Sequence, residues 1–523
     1  MKKSKNQFNT NLIIKEDSIL GSPWVPIFEN EVEFEKHHYE SAMSNIIKEP
    51  NINSTVIMRA DILIENSYGP QGDRKFTSKH IDTLPEFPES EEPVLCRYHQ
   101  DAKLRDIPLD NSKLSFKPKC EIVRRIIPRN PFKDYIINQT SVILTSGESI
   151  LVVYIPHIKT EDEIPFYLPS VLGIGILYHE KKLSIHYLPF NYENNQSILN
   201  LKSMDPNDRD IRIAQRLIQT STKHSQGTKD GYEKRVYHDL IISKESFQNR
   251  YISLKKKYSS NLVNEWKEKT DPKKHVFEDL AIAAFLIEFW HSRYPKKDFE
   301  FLDVGCGNGL LVYILHMEGF TGKGIDARKR KSWDQYPQQT KDNLFEKIII
   351  PSILLQDKDK YFQIPDANDK NLMTFHSSEK LSTADHVFTT DLPSNTFIIG
   401  NHSDELTCWI PLLGFPFMVI PCCSHALSGI KKRYSHSTST YAALVDHVEE
   451  LTKSMGWIVE KEYLRIPSTR NVAIIGFNKH SKFKDDTPEQ FNNKVKDILQ
   501  REGGGDAWVE NSLNLMKSSP RDH

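Results

Sequence analysis

The sequence lacks the features that mark membrane-spanning, secreted and disulfide-rich proteins. Nowhere do 18 apolar residues run together, and the basic start MKKSKNQ leads into no apolar segment of the kind found in signal peptides. Six cysteines are spread over 523 residues, and none forms a CxxC pair. These absences argue against a membrane span, a leader and a disulfide framework. They predict a cytoplasmic protein in a reducing compartment, with the nucleus left open.

Charge bias and repetition are also missing. Acidic and basic residues nearly cancel, with 70 Asp and Glu against 69 Lys and Arg. No internal repeat or low-complexity tract is visible, and 27% charged with 38% hydrophobic residues is typical of a globular protein. A polyanionic partner would therefore have to be bound by a local basic patch and not by the whole surface.

The patterning divides the chain into five segments. Residues 1–92 are polar and are expected to be partly ordered, whereas residues 93–200 carry short β-branched runs typical of a β-rich accessory domain. Residues 201–270 are predicted to be a helical connection with a possible RNA contact. A catalytic domain is predicted over residues 271–480, and a C-terminal helix and tail over residues 481–523. The region before the catalytic domain is thus predicted to be mixed α+β.

Strands and helices alternate after residue 299, which predicts an α/β fold with a mostly parallel sheet. A helix is predicted to precede it, with Asp271 as N-cap and Pro272 at its first position. The last two strands are separated only by RIPSTR and must form an antiparallel hairpin. Residues 356–395 are predicted to be an insertion. The strand candidates are residues 299–304, 323–327, 347–350, 396–400, 417–421, 457–464 and 471–477.

A glycine turn follows the first of these strands, in the stretch FLDVGCGNGLLVYIL. A dinucleotide fingerprint needs a third glycine at position 310, which is leucine, so NAD and FAD are disfavoured. An acid that ends the strand and precedes a glycine turn instead resembles the S-adenosylmethionine loop of class I methyltransferases. A second acid, Asp326, ends the next strand, where it could accept both ribose hydroxyls of a nucleoside. The predicted cofactor-binding residues in this part are Asp303, Gly305, Gly307, Asn308, Gly309 and Asp326.

The stretch NHSDELTCWIPLLG follows the fourth strand, next to the first strand in the expected sheet. Ligands bind at the carboxyl edge of such sheets, which is where this stretch should lie. One of Ser403 and Asp404 is expected to cap the helix that follows, but capping does not need four polar groups. We therefore expect Asn401 to contact the cofactor, and His402, Asp404 or Glu405 to contact cofactor or substrate.

Taken together, these motifs resemble the tRNA (uracil) 2′-O-methyltransferase family, which modifies a uridine in the variable region of serine tRNAs. The resemblance covers roughly residues 95–478. It implies a class I methyltransferase sheet, S-adenosylmethionine as the methyl donor, a uridine ribose in tRNA as the acceptor, and a cytoplasmic location. The motifs are the glycine turn, GIDARKRKSWDQYP, NHSDELTCWIPLL, IPCC, LRIPSTRN, RRIIPRNPFKD, TKHSQGTKDGYEKRVYHD and KKHVFEDLAIAAFLIEFW.

Methyl transfer to a ribose hydroxyl needs alignment of the reacting atoms and help in removing a weakly acidic proton. The candidate bases are His402, Asp404, Glu405 and Lys274. A lysine acts as a base only where desolvation or a neighbouring cation lowers its pKa. The sequence does not decide among the four.

Three basic stretches could bind RNA. RIPSTR places Arg465, Ser468, Thr469 and Arg470 on a tight turn, which is either a phosphate clamp or a solvated hairpin. Arg124, Arg125 and Arg129 surround a short apolar run. Residues 250–274 interleave lysines with Tyr251, Tyr258 and Trp266, although such a charge run is often only the wet face of a helix.

Several alternatives stay open. The same cofactor fold would serve an RNA base or a protein as acceptor, and a catalytically silent RNA-binding subunit would keep the fold as well. Cys422, Cys423 and His425 follow the fifth strand, but no fourth ligand stands at zinc-site spacing, so no metal is predicted. A helper protein is possible and cannot be read from the sequence.

Overall fold

The computed structural model describes residues 10–69, 73–80, 93–232, 238–296, 298–365, 373–433 and 439–517. The chain forms two compact units, residues 1–235 and 236–523. This division differs from the predicted boundaries at residues 93, 201 and 271. The stretch PEFPESEEP, whose composition predicts a linker or loop, lies almost wholly outside the described residues. No helix in the described ranges combines the length and apolarity that a membrane crossing requires.

The described residues of the first unit form one nine-stranded antiparallel sheet and three α-helices. The strand order is β1-β2-β9-β8-β7-β6-β5-β3-β4. The strands are β1 (Asn11–Leu12), β2 (Val25–Glu31), β3 (Ile57–Tyr68), β4 (Arg74–Lys79), β5 (Lys117–Pro128), β6 (Ile137–Ser146), β7 (Ser149–Pro156), β8 (Gly173–His179) and β9 (Lys182–Leu188). The helices are α1 (Lys36–Lys48), α2 (Asn195–Lys202) and α3 (Arg209–Lys229).

Helices from both ends of this unit pack against one apolar core on the sheet. Tyr39 and Met43 of α1 and Ile211 and Ile218 of α3 are fully buried in that core. The hydroxyl of Tyr39 donates to the Ile176 carbonyl of β8 at 2.7 Å. Strands from the predicted partly ordered segment and a helix from the predicted connection therefore belong to the same sheet domain. The turn residues SGES between two apolar runs predict a hairpin, and this prediction is confirmed by β6 and β7, where Ser146 pairs with Ser149.

The second unit is built on a seven-stranded sheet of order β12-β11-β10-β17-β18-β20-β19. The five strands from β12 to β18 are parallel, and β20 is antiparallel to both β18 and β19. The predicted terminal hairpin is therefore confirmed. The sheet strands are β10 (Glu300–Val304), β11 (Gly322–Asp326), β12 (Leu344–Glu346), β17 (Thr396–Asn401), β18 (Phe417–Ile420), β19 (Trp457–Tyr463) and β20 (Val472–Lys479). Four further strands pair outside it: β13 (Ile348–Ile350), β14 (Tyr361–Pro365), β15 (Met373–Ser377) and β16 (Val387–Thr389).

Helices cover both faces of this sheet. The helices are α4 (Lys244–Asn264), α5 (Pro272–Arg293), α6 (Leu310–Met317), α7 (Gln338–Lys341), α8 (Ser378–Ser382), α9 (Thr440–Ser454), α10 (Pro488–Arg501) and α11 (Ala507–Lys517). Helix α5 begins as predicted, with the Asp271 side chain accepting a hydrogen bond from the Lys273 amide and Pro272 at its first position. It buries Trp290 against Phe301 of β10 and Phe397 of β17. This packing places the start of α5 beside the site.

Two local predictions need correction. The third sheet strand is β12, and the KIII stretch instead supplies β13, which pairs with β16 outside the sheet. The stretch after Asn401 forms two short 3-10 helices, Asp404–Leu406 and Ile410–Leu412, because Pro411 supplies no amide for a continuous α-helix. Residues 356–395 contain β14, β15, α8 and β16.

Candidate functional site

Three loops meet at the carboxyl edge of the parallel strands. Asp303 near the end of β10 pairs in register with Gly324 of β11 on one side and Ile399 of β17 on the other. The three strands therefore end at the same level. The glycine turn after β10, Asp326 at the end of β11 and Asn401 at the end of β17 lie along one edge, where ligands bind in open α/β sheets.

The glycine turn requires glycine for conformation and for space. Gly305, Gly307 and Gly309 have φ angles of +75°, +51° and +73°, which side chains rarely adopt. A Cβ on Gly305 would lie 3.3 Å from the Cβ of Ser403, so the turn packs directly against the loop after β17. A Cβ on Gly307 would meet no atom within 4 Å, which leaves the turn open on that side.

Asp326 holds the glycine turn in place. Its Oδ2 accepts a hydrogen bond from the Gly307 amide and its Oδ1 accepts one from the Arg328 amide, each at 3.0 Å. A carboxylate offers about four lone-pair sites, so each oxygen can still accept a hydroxyl. Burial raises the pKa of Asp326, against the lowering effect of Arg330 and these amides.

Side chains beneath the turn fix its backbone. The Trp333 indole donates to the Gly307 carbonyl at 2.9 Å, and the Tyr336 hydroxyl donates to the Asn308 carbonyl at 3.0 Å. The Asn308 side chain accepts from the Leu310 amide at 2.9 Å. Asn308, predicted to bind the cofactor, therefore uses its Oδ1 within the protein at the start of α6. A Cβ on Gly309 would lie 3.0 Å from Leu344, so this glycine serves packing.

Asp303 is the most deeply buried acid of the site, with 1% of its surface exposed. Its Oδ1 has no hydrogen-bond partner among the described residues. Burial raises its pKa well above the ordinary value, and the nearby charges of Asp279 and Asp326 raise it further. A buried acceptor without a donor is costly, so this oxygen is suited to a donor on a ligand.

The polar rim after β17 is held by two acids of α5. The Asn401 amide donates to Asp279 Oδ1 at 2.9 Å, and His402 Nε2 lies 3.1 Å from Glu278 Oε1. Both acids are buried. Sequence reasoning missed them, although two adjacent acids interrupting the apolar run of α5 were a readable signal. His402 adopts a φ of +53°, which is a strained value for a residue other than glycine.

The four candidate bases have different surroundings. His402 and Asp404 are half-buried, and the Cys422 thiol donates to Asp404 Oδ1 at 2.8 Å. Glu405 is buried, with Oε1 at 4.0 Å from the Nε2 of buried His425. Lys274 is exposed on the first turn of α5, one turn before Glu278. His402 and Asp404 are therefore the two candidates at the rim that are partly accessible.

Two cysteines and an acid form a compact cluster next to the rim. The ligand atoms of Asp404, Cys422 and Cys423 lie within 4.8 Å of one another, and no other three-residue group of the described chain does this. Arg470 contacts the same cluster, through the Cys422 carbonyl and at 3.5 Å from Cys423 Sγ. A cation of the protein thus already lies against one of these thiols.

The RIPSTR turn is tied to the protein at both of its arginines. Arg465 makes a two-pronged pair with Asp239, at 2.9 and 2.5 Å. Exposed Arg470 reaches the cysteine cluster, and its amide donates to Ser468 Oγ at 3.2 Å. Thr469 is exposed. The turn adjoins the end of β18, so its exposed residues border the site.

The predicted RNA contacts upstream differ in accessibility. Arg124 is 5% exposed, bonded to Gln139 at 2.7 Å, and burial lowers its pKa to about 10. Because this guanidinium is buried, it cannot contact RNA, and the sequence prediction that Arg124 binds RNA is wrong. Arg125 is half-buried and donates to the His99 carbonyl, whereas Arg129 is exposed and donates to the Thr55 carbonyl. Among the aromatic residues of the 250–274 stretch, Tyr258 is 6% exposed and cannot stack on a base.

Two family models match the chain. Residues 3–235 match the family described as "TRM44-like, N-terminal bet v1-like domain". Residues 241–351, which contain the glycine turn and Asp326, match the family "Predicted AdoMet-dependent methyltransferase". The fold and the site thus define a methyltransferase that uses S-adenosylmethionine, joined to a Bet v1-like domain.

Full-length relatives narrow this class. A protein of Debaryomyces hansenii named tRNA (uracil-O(2)-)-methyltransferase is 56% identical over 100% of this chain and 99% of its own length. Proteins with the same name from Saccharomyces cerevisiae and Schizosaccharomyces pombe are 45% and 34% identical, covering 99% and 96% of this chain and 98% and 94% of their own. The chain belongs to the tRNA (uracil-O(2)-)-methyltransferase family.

Proposed function

We propose that this protein transfers the methyl group of S-adenosylmethionine to the 2′-hydroxyl of a uridine in tRNA. The observation that carries the proposal is the pairing of a glycine turn and Asp326 with the Asn401–Glu405 rim at one sheet edge, in a chain whose relatives carry this activity in their names. The proposed tRNA is a serine tRNA, as the resemblance of the motifs implies.

We assign the sheet of the second unit to the class I methyltransferases. Five parallel strands followed by an antiparallel pair, in the order β12-β11-β10-β17-β18-β20-β19, support this assignment. The strand order reverses between β10 and β17, which is the type of switch point where open α/β sheets bind ligands. The candidate site lies at this switch point.

The described residues fit S-adenosylmethionine. Asp326 can accept its ribose hydroxyls, the open side of Gly307 admits a close approach, and the Asp303 Oδ1 lacks a donor. When bound, the cofactor supplies an activated methyl group on a positively charged sulfur. The chain binds the nucleoside through Asp326 and the glycine turn, and the rim after β17 orients the acceptor.

We propose that either His402 or Asp404 accepts the proton of the 2′-hydroxyl. Both are partly accessible at the rim, whereas Glu405 is buried against His425. If His402 Nε2 donates to Glu278, Nδ1 is the atom that would take a proton. His402→Ala and Asp404→Asn should be compared by pH–rate profiles under single-turnover conditions. A general base gives the pH–rate profile a limb on which the rate rises with pH. If only one of the two variants loses this limb, the residue replaced in that variant is the base.

Unit 1 and the exposed cations of α4 are proposed to contribute to tRNA binding. Arg129, Lys256 and Lys257 are exposed, and such cations act mainly through phosphates. All six cysteines are free thiols, which supports the proposed cytoplasmic location. Whether a helper protein takes part is left to the assay, in which the purified chain is used alone.

The test is methyl transfer to total tRNA from cells that lack the protein. The purified protein is incubated with labelled S-adenosylmethionine, and the label is mapped by nuclease digestion. We expect label on a uridine ribose of serine tRNA, and much less label with Asp326→Ala at the same cofactor concentration. Label on a base, or on protein, would overturn the proposed acceptor while leaving the cofactor site intact.

A further inference from the structure

A third buried acid lies at the cofactor edge of the sheet, on a helix that precedes the sheet in sequence. We infer that Asp279 of α5 binds the ammonium group of the cofactor's methionyl part, together with Asp303. The inference rests on the proposed function for the identity of the cofactor. No sequence motif or family match assigns this residue a ligand.

Asp279 is held at this edge by one hydrogen bond and lies near two other groups of the site. Its Oδ1 accepts from the Asn401 amide at the end of β17 at 2.9 Å. Its charge acts on Asp303 at the end of β10 and on Tyr336, whose hydroxyl supports the glycine turn. The carboxylate therefore lies between the ends of two neighbouring strands and the turn, while Asp326 lies beyond Asp303 on β11. The acids line the edge in the order Asp326, Asp303, Asp279.

Two buried acids, Asp279 and Asp303, and the partly buried Asp326 lie in a row, which favours a positive ligand. Asp279 is 8% exposed and Asp303 is 1% exposed. The charges of Asp279 and Asp326 both disfavour ionisation of Asp303, and the Asp303 Oδ1 has no hydrogen-bond partner among the described residues. An acceptor that lacks a donor is satisfied by an N–H group, and a cationic N–H satisfies the charge as well. The ammonium of the methionyl part carries such donors, whereas a sulfonium has none.

A metal ion fits this row poorly. In the described part of the chain, the ligand atoms of Asp279, Asp303 and Asp326 do not all fall within 4.8 Å of one another, as a single metal would require. An extended nucleoside with a ribose at one end and an ammonium at the other matches an elongated row of acids. Asp326 then takes the ribose, and Asp303 with Asp279 takes the ammonium.

The charged groups around Asp279 predict a pH-dependent affinity. Glu278 on the same helix adds negative charge, the pKa of Asp303 on β10 is itself raised well above its ordinary value, and Asn401 and Tyr336 are neutral. His402 faces Glu278, and the cations Arg328 and Arg330 act on Asp326. Burial, first, and then the charge of Glu278 raise the pKa of Asp279 to about 7. A cation binds the ionised form, so its affinity should rise as pH increases through this value.

The test measures the binding of three nucleosides by calorimetry, without methyl transfer. S-adenosylmethionine and S-adenosylhomocysteine both carry the ammonium, and 5′-methylthioadenosine carries neither the ammonium nor the carboxylate. Asp279→Asn should weaken the first two by roughly 10- to 100-fold at pH 8, the value of a charged hydrogen bond, and leave the third unchanged. The wild-type affinity for the first two alone should rise between pH 6 and pH 8. Asp497→Asn, at an exposed position on α10, is the control and should change none of the three affinities.

Each other outcome overturns the inference. Equal losses for all three nucleosides would show that Asp279 only shapes the pocket, and a loss for S-adenosylmethionine alone would move the contact to the sulfonium. If Asp279→Asn does not fold, the pH dependence of wild-type binding decides, and a flat profile for S-adenosylhomocysteine rejects the contact. Failure of the wild-type protein to bind any of the three would instead reject the proposed function.

Discussion

The Asn401 amide and the Asp279 carboxylate are joined by a 2.9 Å hydrogen bond across 122 residues of sequence. Next to it, His402 and Glu278 form a second contact between the same two elements, at 3.1 Å. The two pairs tie the loop after β17 to the first turns of α5. The rim that we propose faces the acceptor is thereby positioned by a helix that begins 28 residues before the sheet, and changes in α5 should affect chemistry at the rim.

Two glycines with open surroundings can be compared, one in the glycine turn and one after α6. Gly307 and Gly319 both have positive φ, and a Cβ would meet no atom within 4 Å at either position. Alanine at each should cost about 1–2 kcal/mol of stability through backbone strain. We expect only Gly307→Ala to abolish S-adenosylmethionine binding, because its Cβ fills the approach to the turn. Thermal unfolding and calorimetry of both variants check this, and equal binding losses would show that strain alone is responsible.

Replacing Asp326 should affect both cofactor binding and the structure of the glycine turn. The carboxylate accepts from Gly307 and Arg328, so Asp326→Ala loosens the turn and removes the ribose acceptor together. We expect roughly 10- to 100-fold weaker binding of S-adenosylmethionine, the value of a charged hydrogen bond. Adenosine should lose affinity in parallel, and 2′,3′-dideoxyadenosine should lose less, since it lacks both hydroxyls and is affected only by the loosened turn. An equal loss for the two compounds would contradict ribose binding.

Asp279 should make the protein less stable at neutral pH when no ligand is bound. Its pKa is raised from 3.8 to about 7, first by burial and then by Glu278. The folded state thus binds the proton of Asp279 more tightly than the unfolded chain does. The stability that this proton contributes to the folded state is lost as pH rises through about 7. At 1.36 kcal/mol per unit, the shift amounts to at most about 4 kcal/mol.

Asp279→Asn should therefore raise the melting temperature at pH 8 and have little effect near pH 4. Asp497→Asn, at an exposed position on α10, should change neither. The measurement is thermal unfolding of both variants over this pH range without cofactor. A gain that is independent of pH would point to packing and not to ionisation.

Much of the second unit could be predicted because its signals are local. The N-cap of α5 and the terminal hairpin each depend on a few adjacent residues, and Asp303, Asp326 and Asn401 follow consecutive parallel strands, whose ends share one edge. Alternation of strands and helices was enough to order these elements along the chain.

The remaining features depend on partners that are distant in sequence. Glu278 and Asp279 looked like part of an ordinary helix, because their partners lie more than 120 residues away. Arg124 looked like a surface cation, yet it crosses to Gln139 on the neighbouring strand and to α1 carbonyls. The N-terminal strands looked separate because β3 pairs with β5, which lies beyond a polar stretch of the sequence. The spacing of hydrophobic residues along the sequence gives no information about such pairings.

Arg465 tests whether the RIPSTR turn binds RNA or supports the fold. It pairs with Asp239 at 2.9 and 2.5 Å, and Glu462 accepts the amides of residues 239–241 nearby. We expect Arg465→Gln and Asp239→Asn to lower the melting temperature similarly, with a coupling of about 1–2 kcal/mol in a double-mutant cycle. If Arg465 instead clamps a phosphate, Arg465→Gln alone will weaken tRNA binding and reduce its salt dependence.

The two adjacent cysteines beside the rim should differ sharply in reactivity. When Cys423 ionises, the Cys422 thiol can donate to the thiolate instead of to Asp404, and this hydrogen bond lowers the pKa of Cys423 to about 7 against the effects of burial and the charge of Asp404, with a further contribution from Arg470. The same coupling raises the pKa of Cys422, so Cys423 is the thiol that ionises first. The thiolate is the nucleophile, and we expect iodoacetamide to modify Cys423 first at neutral pH.

Cys120 provides the internal reference for this experiment. It is half-buried like Cys423, but burial raises its pKa to about 11. Peptide mass spectrometry over a pH series should give a lower midpoint for Cys423 than for Cys120. Cys422→Ala should raise that midpoint because it removes the donor, while Cys422→Ser, which keeps a hydroxyl donor, should preserve it. An unchanged midpoint in Cys422→Ala would show that Arg470, and not the neighbouring thiol, controls the ionisation of Cys423.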